Sequence, residues 1–479
     1  MSLRNQVMSG LRWSMAGRLM SQLISWGLTL VVFRLLQPSD YGLLSMATLI
    51  VGFLQLMAEV GLGVAVVQAR TIETPQLRQI YGVVLLINST LFATLFLVAP
   101  LVADFFTEPK LVSVVQCLAL QFVALAFTVI PKALLERAMD FKKTSLIELV
   151  VTVLGGVLTL FLAYHGSGVW ALVWGTLLTV FGRALVLNVV APFAHWPSFS
   201  MTGMRRYLFF GGNVTADRML WFFYSQADTL LVGKLLGKDA LGIYSVSMHL
   251  ATLPVQRIAG IINQVAMPAF AKVQHEQDLA AGHFLKAVRL MCMVVCPVMF
   301  GMSSVAPELI QAVLGTHWND AVLPFQLLTL MMPIRMVAGL IPPVAHGMGR
   351  PDISLKNLML ASVVMPLAFY IASRWGLVGM SAAWVACFPL IFLSNLRRAM
   401  PLLGLPVAAV LRAMLKPILC AGIMFLAVVF AKLAIPIQLH ASLLLPLLIA
   451  LGVLVYLAAT WLLNRAAIDE ALRLLRKSA

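Results

Sequence analysis

An all-α integral membrane fold of about fourteen transmembrane helices is the class this sequence predicts, and three observations predict it. Of 479 residues, 61% are hydrophobic and only 11% are charged, more apolar than a water-soluble core of this length requires. The apolar residues fall in repeated runs of roughly 20, the length that crosses a hydrocarbon layer about 30 Å thick as a helix. These runs are long and continuous rather than short and alternating, which selects helices over the strands of a barrel.

Taken in order, the runs place spans at about 11–36, 41–68, 79–102, 111–131, 144–164, 168–192, 207–233, 240–268, 284–306, 321–345, 356–373, 376–396, 411–432 and 441–463. The first run is already a full span, so it is expected to be retained rather than cleaved as a signal. The longest polar interval, 271–289, reads as a loop with an interfacial helix, and nothing in the chain suggests a soluble domain. A basic amphipathic stretch at 464–477 suits the membrane surface.

Two of these spans are copies. Residues 16–45 and 216–245 align without a gap at an offset of 200, and ten of thirty positions match, Arg18 with Arg218 and Gly42 with Gly242 among them. Six spans separate the two starts, so both halves enter the membrane in the same direction and the repeat is parallel. Gly166 and Trp174 match Gly376 and Trp384 more weakly, at an offset of 210. The predicted plan is a six-helix lobe in 1–200, a second in 201–400, both around a central cavity, and two additional helices with a basic cytoplasmic tail in 401–479.

Charge sets the orientation. With the N-terminus in the cytoplasm, 23 of the 34 Lys and Arg fall on the inside, 6 on the outside and 5 within spans, which follows the positive-inside rule and puts both termini in the cytoplasm. The net charge of +16 is therefore topology signal and attraction to anionic lipid, and it calls for no nucleic-acid partner. The five cysteines lie in spans and form no disulfide or metal framework.

Nine ionisable residues remain inside spans: Arg18, Arg183, Arg218, Arg257, Arg335, Glu59, Glu148, Asp217 and Asp228. Each costs about 2.5–3.5 kcal/mol at a helix centre and so needs a partner, a watery cavity or a route to the interface. Glu148 reads as an interfacial partner of Lys142 and Lys143, and Arg183 as snorkelling to the cytoplasmic side. Arg18 and Glu59 lie at matching depths, either as a salt bridge that holds two helices or as part of a site. Arg335 follows Pro333, where a bent helix offers carbonyls. Arg18, Arg218, Arg257 and Arg335 are the candidate cavity cations, because arginine binds phosphate oxygens as a fork. Asp228, Asp217 and Glu59 are the candidate coupling acids, since a desolvated carboxyl takes up a proton or holds sodium. No other cofactor is expected, and no residue reads as catalytic.

Several short motifs then resemble a known family. Ser2, Leu3 and Arg4 with Gly10 and Trp13, then 61–70 (GLGVAVVQAR), 227–242 (ADTLLVGKLLGKDALG), 267–274 (MPAFAKVQ), 307–318 (PELIQAVLGTHW) and 349–352 (GRPD) are similar to the bacterial polysaccharide (O-antigen and exopolysaccharide) flippases. The resemblance is to the colanic-acid-exporter-like branch of the multidrug/oligosaccharidyl-lipid/polysaccharide exporter superfamily, and it runs to about residue 400. It implies two six-helix lobes around a central cavity in the inner membrane. It also implies export of an undecaprenyl-pyrophosphate-linked oligosaccharide by alternating access, driven by an ion gradient or the membrane potential. A proton or sodium ion is the expected coupling ion, and a monomer working beside a polysaccharide polymerase and export machinery is the expected assembly.

Two other functions compete. A multidrug exporter of the same fold would prefer an acidic or aromatic cavity, whereas five arginines against four acids in the spans lean toward an anion. A membrane glycosyltransferase or polymerase would need a nucleotide-sugar domain or a large catalytic outer loop, and the outer loops here are short. The stretch 233–239 lacks the spacing and hydroxyl of a phosphate-binding loop, which speaks against ATP-driven transport within this chain.

Overall fold

The computed structural model describes residues 20, 24–59, 63, 66–67, 72–200, 205–272, 276–434 and 441–465, with the side chains of 59, 205–217, 256–269, 271 and 441–443 outside the description. Among the described residues the chain is helical throughout and contains no strand. Among these residues nine helical stretches are long and apolar enough to cross a membrane, or ten with one bent pair. The described parts of the fourteen predicted spans fall on helix.

Contacts divide the chain into two units, Met1–Gly242 and Ile243–Ala479. In the first, α1 (Ile24–Leu35) leads through Gln37 into α2 (Pro38–Glu59). Proline at the first helical position is pre-set for a helix start, and Asp40 Oδ2 accepts the Gln37 N–H at 3.1 Å. Helix α3 (Thr74–Phe106) starts where Gln76 Oε1 accepts the Glu73 N–H at 3.2 Å. It stops at Thr107, whose φ of 58° takes the backbone out of the helical region. Helices α4 (Leu111–Ala126) and α5 (Val129–Arg137) form one span bent by 43°. Asp140 caps α6 (Phe141–Tyr164) by accepting the Lys143 N–H at 3.2 Å. The carboxylate of Asp140 sits below its ordinary pKa because the Lys143 side chain bonds it.

Helices α6 and α7 (Val169–Val190) meet through a reciprocal glycine and threonine contact. A Cβ on Gly155 would lie 1.9 Å from Thr179 Oγ1, and one on Gly175 would lie 1.8 Å from Thr159 Oγ1. Small residues let helices approach where lipid offers no hydrophobic drive. Each threonine hydroxyl is meanwhile satisfied by its own helix, Thr159 donating to Gly155 O and Thr179 to Gly175 O, both at 2.9 Å.

Helix α8 (Arg205–Lys272) is broken at Gly237, whose φ of 83° and ψ of −177° favour glycine. Its first arm belongs to the first unit. There the duplication becomes visible as geometry: a Cβ on Gly42 would lie 1.8 Å from Lys238 O, and a Cβ on Gly242 would lie 1.8 Å from Pro38 O. Position 38 is to 238 as 42 is to 242, so one contact is made twice by repeat-related residues. Beside it, Lys238 pairs with Glu108 at 2.9 Å and Lys234 Nζ donates to Phe105 O at 2.5 Å.

The second unit contains the rest of α8, then α9 (Gln277–Ser304), α10 (Ala306–Val313), α11 (Val322–Ala338), α12 (Ile341–Gly347), α13 (Pro351–Ala372), α14 (Gly376–Ala399), α15 (Val407–Ala434) and α16 (Ala441–Leu463). Its core contains the fully buried Trp318, Trp384, Tyr244, Phe325 and Phe369. The helix pair beyond the duplication is tied in at one end by Lys432, which donates to Ser304 O at 3.0 Å and to Glu308 at 2.8 Å. Further along, Tyr456 donates its hydroxyl to Met293 O at 2.8 Å.

Candidate functional site

Of the residues singled out from the sequence, Arg18 and the side chains of Glu59, Asp217 and Arg257 lie outside the described residues. Three remain, Arg218 and Asp228 in the first unit and Arg335 in the second.

Arg218 is an exposed cation on the first arm of α8. Ten residues on, Asp228 is only 3% exposed, and its Oδ1 accepts the backbone N–H of Thr229 at 2.7 Å. The Thr229 hydroxyl lies 3.4 Å from the same oxygen. Between the two, Phe222 turns inward to pack against Phe53 of α2 at 6.0 Å between ring centroids, while Trp221 and Phe223 are exposed. The arm thus carries an exposed cation near its start and a buried carboxylate ten residues on.

Two further ionisable side chains in the spans pair with each other, Arg183 to Glu148 at 2.8 Å, a pairing the sequence reading does not make for either, while Lys143 pairs with Asp140 at 2.9 Å. The cause is the short turn between α6 and α7: Glu148 lies sixteen residues before it and Arg183 fourteen after the start of α7, so the hairpin brings both to one depth.

Arg335 is the most informative site residue. Its guanidinium carbon stands 4.3 Å from the centroid of the Trp384 ring, and one N–H points at the Met248 thioether sulfur at 3.6 Å. The carbonyl partners expected from the Pro333 bend are not what it uses. Pro333 and Met336 are buried in the packed face of α11, and the side chain instead lies across to α8 and α14. No carboxylate accompanies it among the described residues. Trp384 donates its Nε1–H to Tyr244 at 2.8 Å and packs against Phe369 and Phe388, with centroids 5.2 and 5.7 Å away. The cost of burying a charge marked Arg335 in the sequence. It offered no sign of Met248, Tyr244 or Trp384 as its setting, although Trp384 was marked by its weak repeat match to Trp174. That match has diverged: Trp174 is exposed and Trp384 is core.

A cavity of about 410 Å³ lies between α9, α15 and α16, lined by Pro297, Gly301, Met424, Val428, Leu448 and Tyr456 among others. A smaller one of about 180 Å³ in the first unit is lined by hydroxyls, including Ser25, Thr29, Thr152, Thr159 and Thr176. No cluster able to hold a metal ion occurs among the described residues.

A bundle of many membrane-crossing helices, with cations and a buried acid set into its spans, has the form of a membrane transporter. The chain belongs to the polysaccharide biosynthesis protein family, whose model matches residues 31–323, and this bears out the motif resemblance. It is 25% identical to the teichuronic acid biosynthesis protein TuaB of Bacillus subtilis (strain 168), covering 99% of each chain. To the lipopolysaccharide biosynthesis protein WzxC of Escherichia coli (strain K12) it is 24% identical, covering 80% of this chain and 79% of that one. Among solved structures, the lipid II flippase MurJ in an inward closed conformation superposes with a TM-score of 0.73 at 13% identity, covering 95% of this chain and 99% of that chain, a likeness of fold. The protein is thus a multi-pass membrane protein of this family, with the fold seen in the lipid II flippase.

Proposed function

We propose that this protein flips a lipid-linked oligosaccharide, with undecaprenyl pyrophosphate as the carrier, from the cytoplasmic to the periplasmic leaflet of the bacterial inner membrane by alternating access. The observation that carries this reading is the cavity of about 410 Å³ between α9, α15 and α16, whose lining is almost wholly apolar. A free sugar would lose its hydrogen bonds against such a wall, whereas a prenyl chain finds van der Waals packing there in place of lipid tails. The helix pair that forms the wall lies outside the duplication, as an addition serving the lipid part of the substrate would.

In this reading Arg18, Arg218, Arg257 and Arg335 attract the pyrophosphate. Asp228, with Asp217 and Glu59, couples movement to a proton or sodium gradient. A monomer with both termini in the cytoplasm hands its cargo to a polymerase and export machinery outside. With no carboxylate beside it among the described residues, Arg335 favours an anionic substrate over the cationic drugs of a multidrug exporter.

The test is reconstitution into vesicles with a fluorescent polyprenyl-diphosphate oligosaccharide. Gradient-dependent movement between leaflets is expected, and its replacement by Arg18→Gln or Arg218→Gln should stop movement while leaving the protein inserted. Normal delivery by both variants would remove those arginines from the site. Asp228→Asn is expected to change the response to a proton or sodium gradient, and an unchanged response would reassign the coupling role.

A further inference from the structure

Resting on the reading above, we propose that Arg335, Trp384 and Tyr244 form a preorganised oxyanion subsite in the second unit that takes the phosphoryl oxygens of the lipid-linked substrate. A guanidinium has five N–H donors spread around its edge, and inside an apolar bundle each requires an acceptor. Trp384 occupies the face of the group at 4.3 Å, where a cation is attracted by the ring, and leaves the edge to other partners. Among the described residues the acceptor on that edge is the Met248 sulfur at 3.6 Å, a weak one. The remaining fork is matched to two oxygens of a phosphoryl group.

The mount is rigid. Trp384 is 2% exposed, packed against Phe369 and Phe388 and held by the bond to Tyr244 at 2.8 Å. Tyr244 and Met248 stand one turn apart on α8, so a single helix supplies both the lock on the ring and the thioether on the cation. A mount of this kind spends little conformational entropy when the anion arrives. Trp384 and Tyr244 are positioning residues, because they act on the anion through Arg335.

The pairing of Arg335 with Trp384 also provides the readout. Full-length protein in nanodiscs of zwitterionic lipid is titrated with farnesyl diphosphate, farnesol and glucuronate, following tryptophan emission and, in parallel, calorimetric binding. Farnesyl diphosphate is expected to bind saturably and change the emission, whereas farnesol leaves it unchanged. Arg335→Gln should weaken diphosphate binding by about tenfold or more. Arg335→Lys, a point charge without the fork, should fall between. Tyr244→Phe should weaken binding while preserving it, and Trp384→Phe should abolish most of the emission change with binding still seen by calorimetry. Equal affinity in wild type and both Arg335 variants, or an equal response to farnesol, overturns the subsite. Glucuronate binding that depends on Arg335 as strongly as diphosphate binding overturns the phosphoryl assignment in favour of an acidic sugar. If Arg335→Gln fails to fold, the Arg335→Lys comparison decides alone. Loss of oligosaccharide movement in the wild type with Arg335-dependent diphosphate binding intact would sink the flipping function and leave the subsite standing.

Discussion

Arg183 and Arg335 began as equivalent liabilities, each a guanidinium within a span, and their surroundings separate them. Arg183 has a carboxylate at 2.8 Å, with both side chains about one-third exposed. Both lie on membrane-crossing helices, where the carboxylate spares the guanidinium the cost of standing alone, about 2.5–3.5 kcal/mol at a helix centre. Glu148→Gln should therefore lower the melting temperature in detergent and leave transport intact, and a transport defect in that variant would place the pair in the site. Asp140 acts at the same scale outside the membrane. Asp140→Ala removes a helix cap and should cost about 0.5–2 kcal/mol in thermal unfolding. Its carboxyl is held below its ordinary value by Lys143, so its contribution is complete above an unfolded pKa of about 3.9 and disappears as pH falls through the lower native value. The cost of burying charge made these residues visible in the sequence. Their partners were not visible, because the pairing of Glu148 with Arg183 depends on a hairpin and that of Arg335 with Trp384 on packing between α11 and α14.

At the scale of elements, continuous apolar runs marked where helices lie, since each must fill the membrane thickness. What they left out was breakage. The fourth span is two helices bent by 43°, and the seventh and eighth are one helix interrupted at Gly237. Helix crossings depend on a missing methyl more than on hydrophobicity, so they are faint in composition. Gly42→Val and Gly242→Val each push a side chain into a backbone carbonyl and should each destabilise by about 1–3 kcal/mol or more. Gly27→Ala, which meets nothing within 4 Å, should be neutral or slightly stabilising. Equal melting temperatures for all three variants would show that the crossing at 42 and 242 contributes nothing to the fold.

For the whole molecule, the duplication was legible because an ungapped offset of 200 survives in residues that touch. Gly42 meets Lys238 and Gly242 meets Pro38, so the repeat is preserved where a Cβ cannot fit. The same register extends to Glu108 and Glu308, which no sequence argument had joined. Each carboxylate is met by a lysine from a later helix. For Glu108 this is Lys238 of α8, and for Glu308 it is Lys432 of α15. The last two helices thus give the second acid the partner that α8 gives the first. Removing them would strand an acid at the membrane edge as well as stripping a wall from the apolar cavity.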